Sequence, residues 1–241
     1  MKKKTHISNT AHESKQGILS VVATPIGNLG DFSPRAKSTL ITADIIVAED
    51  TRKLRSLLGG ENIQALLLRG DSITENKIVQ KIIDALYDGK RVALITDAGT
   101  PGISDPGYII VSKVREIATD ITIEVLPGPS ALTAALSISG IPATPFTFLG
   151  FPPAKKGRTS FFKKILEIHH TIVLYESPHK FMKSLTELHA VVGGKRTIFV
   201  GRELTKMHEE GNYGTLDQII LYYKNNPEKV RGEFVLVIKG N

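Results

Sequence analysis

The chain has 241 residues, of which 41% are hydrophobic and 23% charged, a composition typical of globular proteins in aqueous solution. It contains no apolar run of about 18 residues, so we expect no membrane span. Cysteine is absent, which excludes disulfides, thiol catalysis and cysteine-ligated zinc and fits a cytoplasmic protein. The net charge of +7 suits an anionic partner such as RNA, although a modest positive charge also serves solubility.

The first sixteen residues, MKKKTHISNTAHESKQ, are polar and contain four lysines and one glutamate. They have the charge of a signal peptide, but no apolar segment follows them, so we do not expect secretion. We predict that residues 1–16 form a flexible basic tail.

From residue 17 onward, apolar runs alternate with helical patterns. In chain order we predict a strand in GILSVVAT, a helix in SPRAKSTLITA, a strand in DIIVAED, a helix in ENKIVQKIIDALYDGK, a strand in RVALIT, a helix in GYIIVSKVREIA, a strand in ITIEVLP and a helix in PSALTAALSISG. Ser33 is a suitable N-cap, Pro34 fits the first helical turn, and Gly89 ends the second helix. Continuous apolar strands that alternate with helices favour a parallel sheet covered on both faces.

Residues 140–158 are rich in proline and glycine, which is typical of a domain junction. After this segment the alternation resumes, with strands in TIVLYES, RTIFVG and GEFVLVIKG and with helices from Pro178 and near 215–224. The sequence therefore predicts an α/β protein with two α/β domains, 17–142 and 143–241. Small ligands usually bind in clefts between domains and at the carboxyl ends of strands.

Four loops that leave predicted strands have unusual compositions. They are ATPIGNLGD (23–31), AEDTRKLRSLL (48–58), TDAGTPGISDPG (96–107) and LPGPSA (126–131). In a parallel sheet these loops share one edge, where glycines allow a ligand to approach the backbone and prolines restrict the loops. Taken singly, LPGPSA is also compatible with a tight turn, and AEDTR with the acidic start of a helix. Together the loops favour a ligand cleft.

Several common motifs are absent from the sequence. There is no G-x-x-x-x-G-K-[ST], no G-x-G-x-x-G after the first strand and no G-x-S-x-G, which disfavours P-loop NTPases, dinucleotide-binding folds and α/β-hydrolases. There is no H-E-x-x-H, and the adjacent His169 and His170 point apart on a regular element. We predict no metal site.

The motifs TDAGTPGISDPG, PGPSA, FLGFPP, YESPHK, GRELTK and GEFV occur in that order, together with ATPIGNLGD and AEDTRKLRSLL. From about Ile18 to Asn241 the chain resembles the ribosomal RNA small subunit methyltransferase I family of the tetrapyrrole methylase-like superfamily, the class III methyltransferases. The resemblance implies two α/β domains with S-adenosylmethionine in the cleft between them. It also implies methylation of the ribose 2′-hydroxyl of a cytidine in the decoding region of 16S rRNA, in naked RNA or the small ribosomal subunit, by a cytoplasmic homodimer.

The resemblance also implies which residues bind the cofactor. Those of the first domain are Pro25, Asp97, Thr100, Pro101, Gly102, Ser130 and Ala131. Those of the second domain, which close on the adenine, are Tyr175, Leu204, Gly232 and Glu233. Tetrapyrrole-methylating relatives have a glycine-rich loop after the first strand, whereas this chain has Pro25-Ile26-Gly27-Asn28, which favours an RNA substrate.

No residue identifies itself as the base that removes the hydroxyl proton. Glu49, Asp50 and Asp105 are candidates because their loops leave the sheet at the cofactor edge, although each could equally be an N-cap or part of an ion pair. Arg52 and Lys53 could hold an adjacent phosphate. The segment AKKGRTSFFKK places Lys155, Lys156 and Arg158 near the junction, where they form either an RNA-phosphate patch or the basic start of a helix.

Two other functions remain open from the sequence. One is methylation of a tetrapyrrole or another small molecule in the same cofactor cleft. The other is RNA binding without catalysis, in which case the protein need not bind S-adenosylmethionine. The basic composition and the ATPIGN loop favour the RNA methyltransferase.

Overall fold

The structure is a computed structural model that describes residues 16–241. Of the predicted basic tail, residues 1–15 lie outside the described residues. In the described part of the chain, ten strands form two five-stranded sheets with helices packed against them. The α/β class predicted from the alternating pattern is confirmed.

The first half of the chain forms an entirely parallel sheet with the strand order β3-β2-β4-β1-β5. Its elements are β1 (Ile18–Val22), α1 (Pro34–Thr42), β2 (Ile45–Ala48), α2 (Thr51–Leu57), β3 (Leu66–Arg69), α3 (Glu75–Tyr87), β4 (Arg91–Leu94), α4 (Tyr108–Ile117), β5 (Thr122–Leu126) and α5 (Ala131–Ile138). The parallel sheet was predicted. Strand β3 was not, because LLLR is short and lies at the sheet edge, where its side chains are only partly covered.

Alternate residues of the central strands fill two cores on opposite faces of this sheet. In β2, Ile45 and Val47 belong to the core that includes residues of α3 and α4, whereas Ile46 and Ala48 belong to the core that includes residues of α1 and α2. This is why the strands lack an apolar–polar alternation. The predicted helix start is also present, since Ser33 Oγ accepts a hydrogen bond of 3.1 Å from the Ala36 N–H.

The second half forms a mixed sheet with the order β6-β7-β10-β8-β9. Its elements are β6 (Phe146–Phe148), α6 (Arg158–Lys164), β7 (Thr171–Glu176), α7 (Pro178–Val192), β8 (Thr197–Arg202), β9 (Glu210–Thr215), α8 (Leu216–Asn225) and β10 (Phe234–Ile238). Only β6 and β7 pair in parallel, so the parallel arrangement inferred for the first half does not extend to this one. The connection 203–209 between β8 and β9 contains no crossover helix, and a short connection of this kind produces an antiparallel pair.

Two strands of the second sheet were missed. Strand β6 has three residues, and β9 reads EGNYGT, in which polar residues and two glycines hide the strand pattern. Their places at the two edges of the sheet explain why such sequences are tolerated there.

Helix α5 links the two halves. It was predicted to belong to the first domain, but Ala135 and the following Ile141 pack in a core with Val173 of β7 and with Val235 and Val237 of β10. The opposite face of this sheet is covered by a larger core that includes residues of α6, α7 and α8. The predicted boundary at 142/143 thus follows a helix whose buried face contributes to the second half, and the division into two folding units stays a prediction.

Candidate active site

A cavity of about 380 Å³ lies between the two halves. Its volume is within the range of roughly 300–1,000 Å³ typical of small-molecule sites. The first half contributes Ile26, Ala98, Gly99, Thr100, Ile103, Asp105, Ser130 and Ala131 to its lining, and the second contributes Phe151, Tyr175, Glu176, Ser177, Pro178, Leu204, Glu233, Phe234 and Val235. The loops that follow β1, β4 and β5 therefore meet at one edge of the parallel sheet, as the sequence predicted.

Short backbone contacts hold these loops together. Thr24 and Gly99 form an isolated antiparallel bridge, with N–H···O distances of 2.9 and 3.1 Å. Gly99 has φ +79°, a conformation that side-chain-bearing residues rarely adopt. Gly128, in the loop after β5, lies so close to the first loop that a Cβ there would be 2.9 Å from Ala23 Cβ.

The loop between β4 and α4 is fixed by its own turns. Gly102 has φ +81°, and its N–H donates a hydrogen bond of 3.2 Å to the Pro106 carbonyl. Gly107 has φ +115°, and its N–H donates a hydrogen bond of 2.9 Å to the carboxylate of Glu75, which is buried. These turns account for the glycine-rich composition of TDAGTPGISDPG and hold Asp105 at the cavity wall.

Asp105 is a carboxyl group in an acidic environment. Burial raises its pKa to about 6, and the negative charges of Glu49, Asp97 and Glu233 contribute to this rise. The pKa of Glu49 is also raised, first by burial and then by the charge of Asp97. Because each carboxylate disfavours the ionisation of the others, Asp105 keeps its proton to a higher pH than an ordinary aspartate does.

The charged residues after β2 interact mainly with one another and with Asp97. The Asp50 carboxylate accepts a hydrogen bond of 2.9 Å from the Arg52 N–H at the start of α2 and pairs with the Arg52 guanidinium at 2.7 Å. These contacts hold the pKa of Asp50 well below its usual range. Lys53 Nζ lies 2.5 Å from Asp97 Oδ2. Asp50, Lys53 and Asp97 line a separate cavity of about 40 Å³, together with Pro25.

On the second half, Tyr175 forms part of the aromatic wall of the cavity. Its ring contacts Phe148 and Phe151 edge to face, at centroid distances of 4.8 and 5.5 Å. Its hydroxyl accepts a hydrogen bond of 3.0 Å from the Leu132 N–H in α5, and burial raises its pKa. Tyr175 thus joins β7 to the first turn of α5 beside Ser130 and Ala131.

The segment after β8 completes this wall. Lys206 Nζ pairs with Glu203 at 2.8 Å and with Glu233 at 3.0 Å, and the Glu233 N–H donates a hydrogen bond of 2.8 Å to Glu203 Oε1. Gly232 has φ +85°, and a Cβ there would lie 2.5 Å from the Glu203 side chain. A side chain at position 232 would therefore displace the carboxylate that holds Lys206 and the Glu233 backbone, next to Leu204 in the cavity lining.

The predicted site residues fall into three groups. Those that line the large cavity are Thr100, Asp105, Ser130, Ala131, Tyr175, Leu204 and Glu233. Those that line the small cavity are Pro25, Asp50, Lys53 and Asp97. Those in neither lining are Glu49, Arg52, Pro101, Gly102, Lys155, Lys156, Arg158 and Gly232. Pro101 is buried, and Lys155 and Lys156 are exposed.

Sequence reasoning missed several lining residues. Ile26 follows Pro25 in a loop that was recognised. Phe151 lies within FLGFPP, and Ser177 and Pro178 lie within YESPHK, so the motifs were noted but these side chains were not selected. Ile103 lies within TDAGTPGISDPG and Val235 within GEFV, but neither side chain was selected, because an apolar residue that lines a cavity cannot be distinguished from a core residue in a sequence.

The structure contradicts the predicted phosphate contact of Arg158. Its side chain is 4% exposed, and its guanidinium lies 2.6 Å from Glu187 and 3.6 Å from Glu176. An RNA phosphate could reach this group only if the buried cluster opened, and removing one partner from a buried ion pair is costly. The helix that begins at Arg158 therefore places this arginine inward and its later lysines, Lys163 and Lys164, outward.

Within residues 16–241, no helix is both long and apolar enough to cross a membrane. Over the same residues, no group of three or more histidine, cysteine, aspartate or glutamate side chains is placed so that it could hold a metal ion.

Residues 19–220 match the family model described as Tetrapyrrole (Corrin/Porphyrin) Methylases. Among solved structures, the methyltransferase CobJ superposes with a TM-score of 0.68 at 18% identity, covering 93% of this chain and 94% of that one. Diphthine synthase superposes with a TM-score of 0.67 at 11% identity, covering 93% and 90%. The fold is therefore that of the tetrapyrrole methylase class.

Similarity to curated proteins identifies the family within this class. A protein of Xylella fastidiosa (strain Temecula1) is 44% identical over 94% of this chain and 83% of its own length. One of Synechocystis is 43% identical over 93% and 79%, and one of Thermotoga maritima is 39% identical over 93% and 99%. All three are named ribosomal RNA small subunit methyltransferase I, and the chain belongs to this family.

Proposed function

We propose that this protein transfers a methyl group from S-adenosylmethionine to the ribose 2′-hydroxyl of a cytidine in the decoding region of 16S rRNA. The observation that carries the proposal is the similarity of nearly the whole chain to relatives named ribosomal RNA small subunit methyltransferase I. The cavity between the halves supports it, because it offers a site of suitable size for a small cofactor.

The residues of this cavity fit S-adenosylmethionine. The cofactor is a sulfonium cation, and the lining includes two acidic residues, Asp105 and Glu233, of which Glu233 pairs with Lys206. Thr100, Ser130 and Ala131 would hold it from the first half, and Tyr175 and Leu204 from the second. When bound, the cofactor supplies a methyl group that is already electrophilic.

The protein's task is then to hold the hydroxyl in line and to receive its proton. Alignment of two bound reactants can lower a barrier by up to roughly 7–11 kcal/mol. Of the three predicted bases, Asp105 alone lines the large cavity. Asp50 lines the small cavity and is paired with Arg52, and Glu49 is in neither lining. We assign the base role to Asp105, whose raised pKa of about 6 leaves it mostly ionised at neutral pH yet more basic than an ordinary aspartate.

RNA would reach the cavity past exposed basic side chains. Lys155 and Lys156 are exposed in the turn that precedes α6, close in sequence to the cavity residue Phe151. Arg52 is also exposed while paired with Asp50. These side chains, with Lys53, are the proposed contacts to phosphate.

Methyl transfer should be measured with purified protein, labelled S-adenosylmethionine and small ribosomal subunits that lack the modification. We expect label at a single 2′-O-methylcytidine, found by mapping the product nucleoside. Subunits that already carry the modification and naked 16S rRNA are the matched substrates. Cofactor binding without transfer to any of these RNAs would contradict the proposal and direct attention to small-molecule substrates such as tetrapyrroles.

The base assignment has a separate test. Asp105→Asn, Asp50→Asn and Glu49→Gln should be compared in single-turnover methylation at saturating cofactor. We expect Asp105→Asn to slow the reaction by roughly 10²–10⁴-fold, the range of general base catalysis, and the other two to have smaller effects. A full rate for Asp105→Asn would exclude it as the base.

We also propose that the protein is a cytoplasmic homodimer, as the family resemblance implies. Sedimentation at several protein concentrations tests the oligomeric state directly. A monomer at all concentrations would contradict it.

A further inference from the structure

A buried cluster of charged side chains lies behind the cavity wall. Arg158 and Glu176 are each 4% exposed, and Ser184 between them is 1% exposed. Glu176 also belongs to the cavity lining. Burying charged groups is costly even when they are paired, so stability alone is a weak explanation for such a cluster.

Arg158 contacts two separate parts of the chain. Its Nη1 donates a hydrogen bond of 3.0 Å to the Pro153 carbonyl, and its Nη2 donates one of 2.5 Å to Ser184 Oγ. Its Nε donates a third, of 2.6 Å, to the Glu187 carboxylate. The guanidinium therefore holds the segment that contains Pro153 against the middle of α7.

The Ser184 hydroxyl connects Arg158 to Glu176 in the cavity wall. It accepts from Arg158 and donates to Glu176 Oε2, while Glu176 Oε1 accepts a hydrogen bond of 2.8 Å from the Ser177 N–H. Ser177 and Pro178 form the turn from β7 to α7 and line the cavity. The position of this turn thus depends on a chain of contacts that begins at Arg158.

The segment before Arg158 carries groups with two different roles. Phe151 lines the cavity, packs against Tyr175 at 5.5 Å and remains 54% exposed. Lys155 and Lys156, a few residues later, are exposed to solvent. The Arg158 N–H closes the turn with a hydrogen bond of 3.3 Å to the Lys155 carbonyl.

We infer that Arg158 is a positioning residue that fixes the segment 151–156 against the β7–α7 turn of the cavity. Phe151 at the cavity and the two lysines proposed to meet RNA are then held in one rigid arrangement. The guanidinium is suited to this because its planar fork donates in several fixed directions, which a lysine ammonium on a flexible stem cannot reproduce. The consequence for catalysis rests on the proposed function, whereas the positioning itself does not.

The chain contains no tryptophan, so Phe151→Trp introduces a single indole at the cavity, which can be excited selectively over the six tyrosines. In this background, Arg158→Lys keeps the charge but removes the fork, and Ser184→Ala keeps both charges and removes only the bridging hydroxyl. We expect both variants to increase acrylamide quenching of the introduced indole by about twofold or more and to lower its anisotropy, because the segment becomes mobile. The control is Lys183→Gln, which removes the exposed partner of Glu187 on the outer side of α7.

All variants are compared well below their unfolding midpoints, with far-ultraviolet circular dichroism as a check of folding. If Arg158→Lys fails to fold, Ser184→Ala carries the test, since alanine is well suited to a helix interior. Indole fluorescence that is unchanged in the folded variants would overturn the inference, because a residue that contributed only to stability would shift the unfolding midpoint without releasing this segment.

The catalytic consequence is measured separately, without the introduced tryptophan. We expect Arg158→Lys to slow single-turnover methylation by roughly 10- to 100-fold, since a displacement of about 1 Å can cost on the order of 10²-fold. A rate equal to that of the parent would contradict the role in catalysis. If the parent itself transfers no methyl group to ribosomal RNA, the proposed function fails, but the fluorescence result still decides the role of Arg158.

Discussion

At the scale of single residues, the environment of Asp105 has the clearest chemical consequence. This carboxyl group shares its surroundings with Glu49, Asp97 and Glu233, and burial and their charges raise its pKa to about 6. The Asp105 carboxyl group therefore stays protonated to a higher pH in the folded protein than in the unfolded chain. The same feature affects both activity and stability, in directions that can be worked out separately.

For activity, a base must be deprotonated to act. We expect kcat/KM for S-adenosylmethionine, which reports the protein before the cationic cofactor binds, to rise with pH through about 6 and to level off above it. Asp105→Asn should abolish this rise and leave a low rate. A profile in the parent that stays flat between about pH 5 and pH 8, measured with the chemical step rate-limiting, would contradict the assignment of Asp105 as the base.

Rising pH changes the free energy of unfolding through Asp105 in the opposite direction to its effect through an ion-paired carboxylate. A raised pKa in the folded state means that Asp105 destabilises the fold increasingly as the pH rises from about 4 to about 6, and that the loss stays constant above this range. Asp105→Asn should therefore increase the free energy of unfolding at about pH 7.5 by about 1–2 kcal/mol, a value reduced for partial exposure, and by little at about pH 4. Urea unfolding at both pH values measures this, with the exposed Glu228→Gln as control. If the difference in the free energy of unfolding between Asp105→Asn and the parent were the same at both pH values, this prediction would be wrong.

At the scale of elements, the loops at the edge of the first sheet pack so closely that some positions have no room for a side chain. Gly128 is the clearest example, because a Cβ there would lie 2.9 Å from Ala23 Cβ in the loop after β1. We expect Gly128→Ala to destabilise the protein by about 1–3 kcal/mol, the usual cost of overpacking. Thermal or urea unfolding would measure the loss.

A second substitution provides the control for this prediction. Ala23→Gly removes the opposing Cβ, so the double variant Ala23→Gly/Gly128→Ala should recover part of the stability that Gly128→Ala loses. Additive losses in the double variant would show that the contact between these two loops is not the cause.

The turn that precedes α6 is the second element with a specific expectation. Lys155 and Lys156 are exposed there, whereas Arg158 is buried. If both lysines contact phosphates, Lys155→Gln/Lys156→Gln should reduce the slope of log K against log salt for RNA binding by about 1.4, or about 0.7 per contact with single-stranded RNA. Lys77→Gln/Lys81→Gln, on the exposed face of α3, removes the same charge elsewhere. Equal slopes for the two double variants would exclude the turn from the RNA contact surface.

At the scale of the whole molecule, the cavity is formed by both halves, so a ligand bound there should stabilise both. At about 100 times its Kd, S-adenosylmethionine should raise the free energy of unfolding by about 2.7 kcal/mol and the Tm by roughly 5–10 °C. Differential scanning calorimetry at increasing cofactor concentrations measures this shift. A first-half transition that moves while the second half melts unchanged would show that the ligand contacts one half alone.

The link between the halves also concerns the whole molecule. Helix α5 follows the last strand of the first sheet but places Ala135 in a core with β10, and the Leu132 N–H meets the Tyr175 hydroxyl. The sequence of α5 is rich in small residues. Such residues permit close packing, but they do not indicate against which sheet the helix packs. A domain boundary read from the proline and glycine content of residues 140–158 therefore could not show that the preceding helix packs across it.

Local patterns and motifs in the sequence were sufficient to predict part of the fold and the family. Continuous apolar runs predicted the parallel first sheet, Ser33 and Pro34 marked a helix start, and the ordered motifs indicated the family. Arg158 shows the limit of such reasoning, because a basic residue in a basic segment is expected to face solvent, yet it meets Glu176 and Glu187 inside the fold. Pairing of strands, burial of charges and the raised pKa of Asp105 depend on residues that are distant along the chain. Only the tertiary structure brings these groups together, and it thereby decided which side chains line the cavity and which hold its walls.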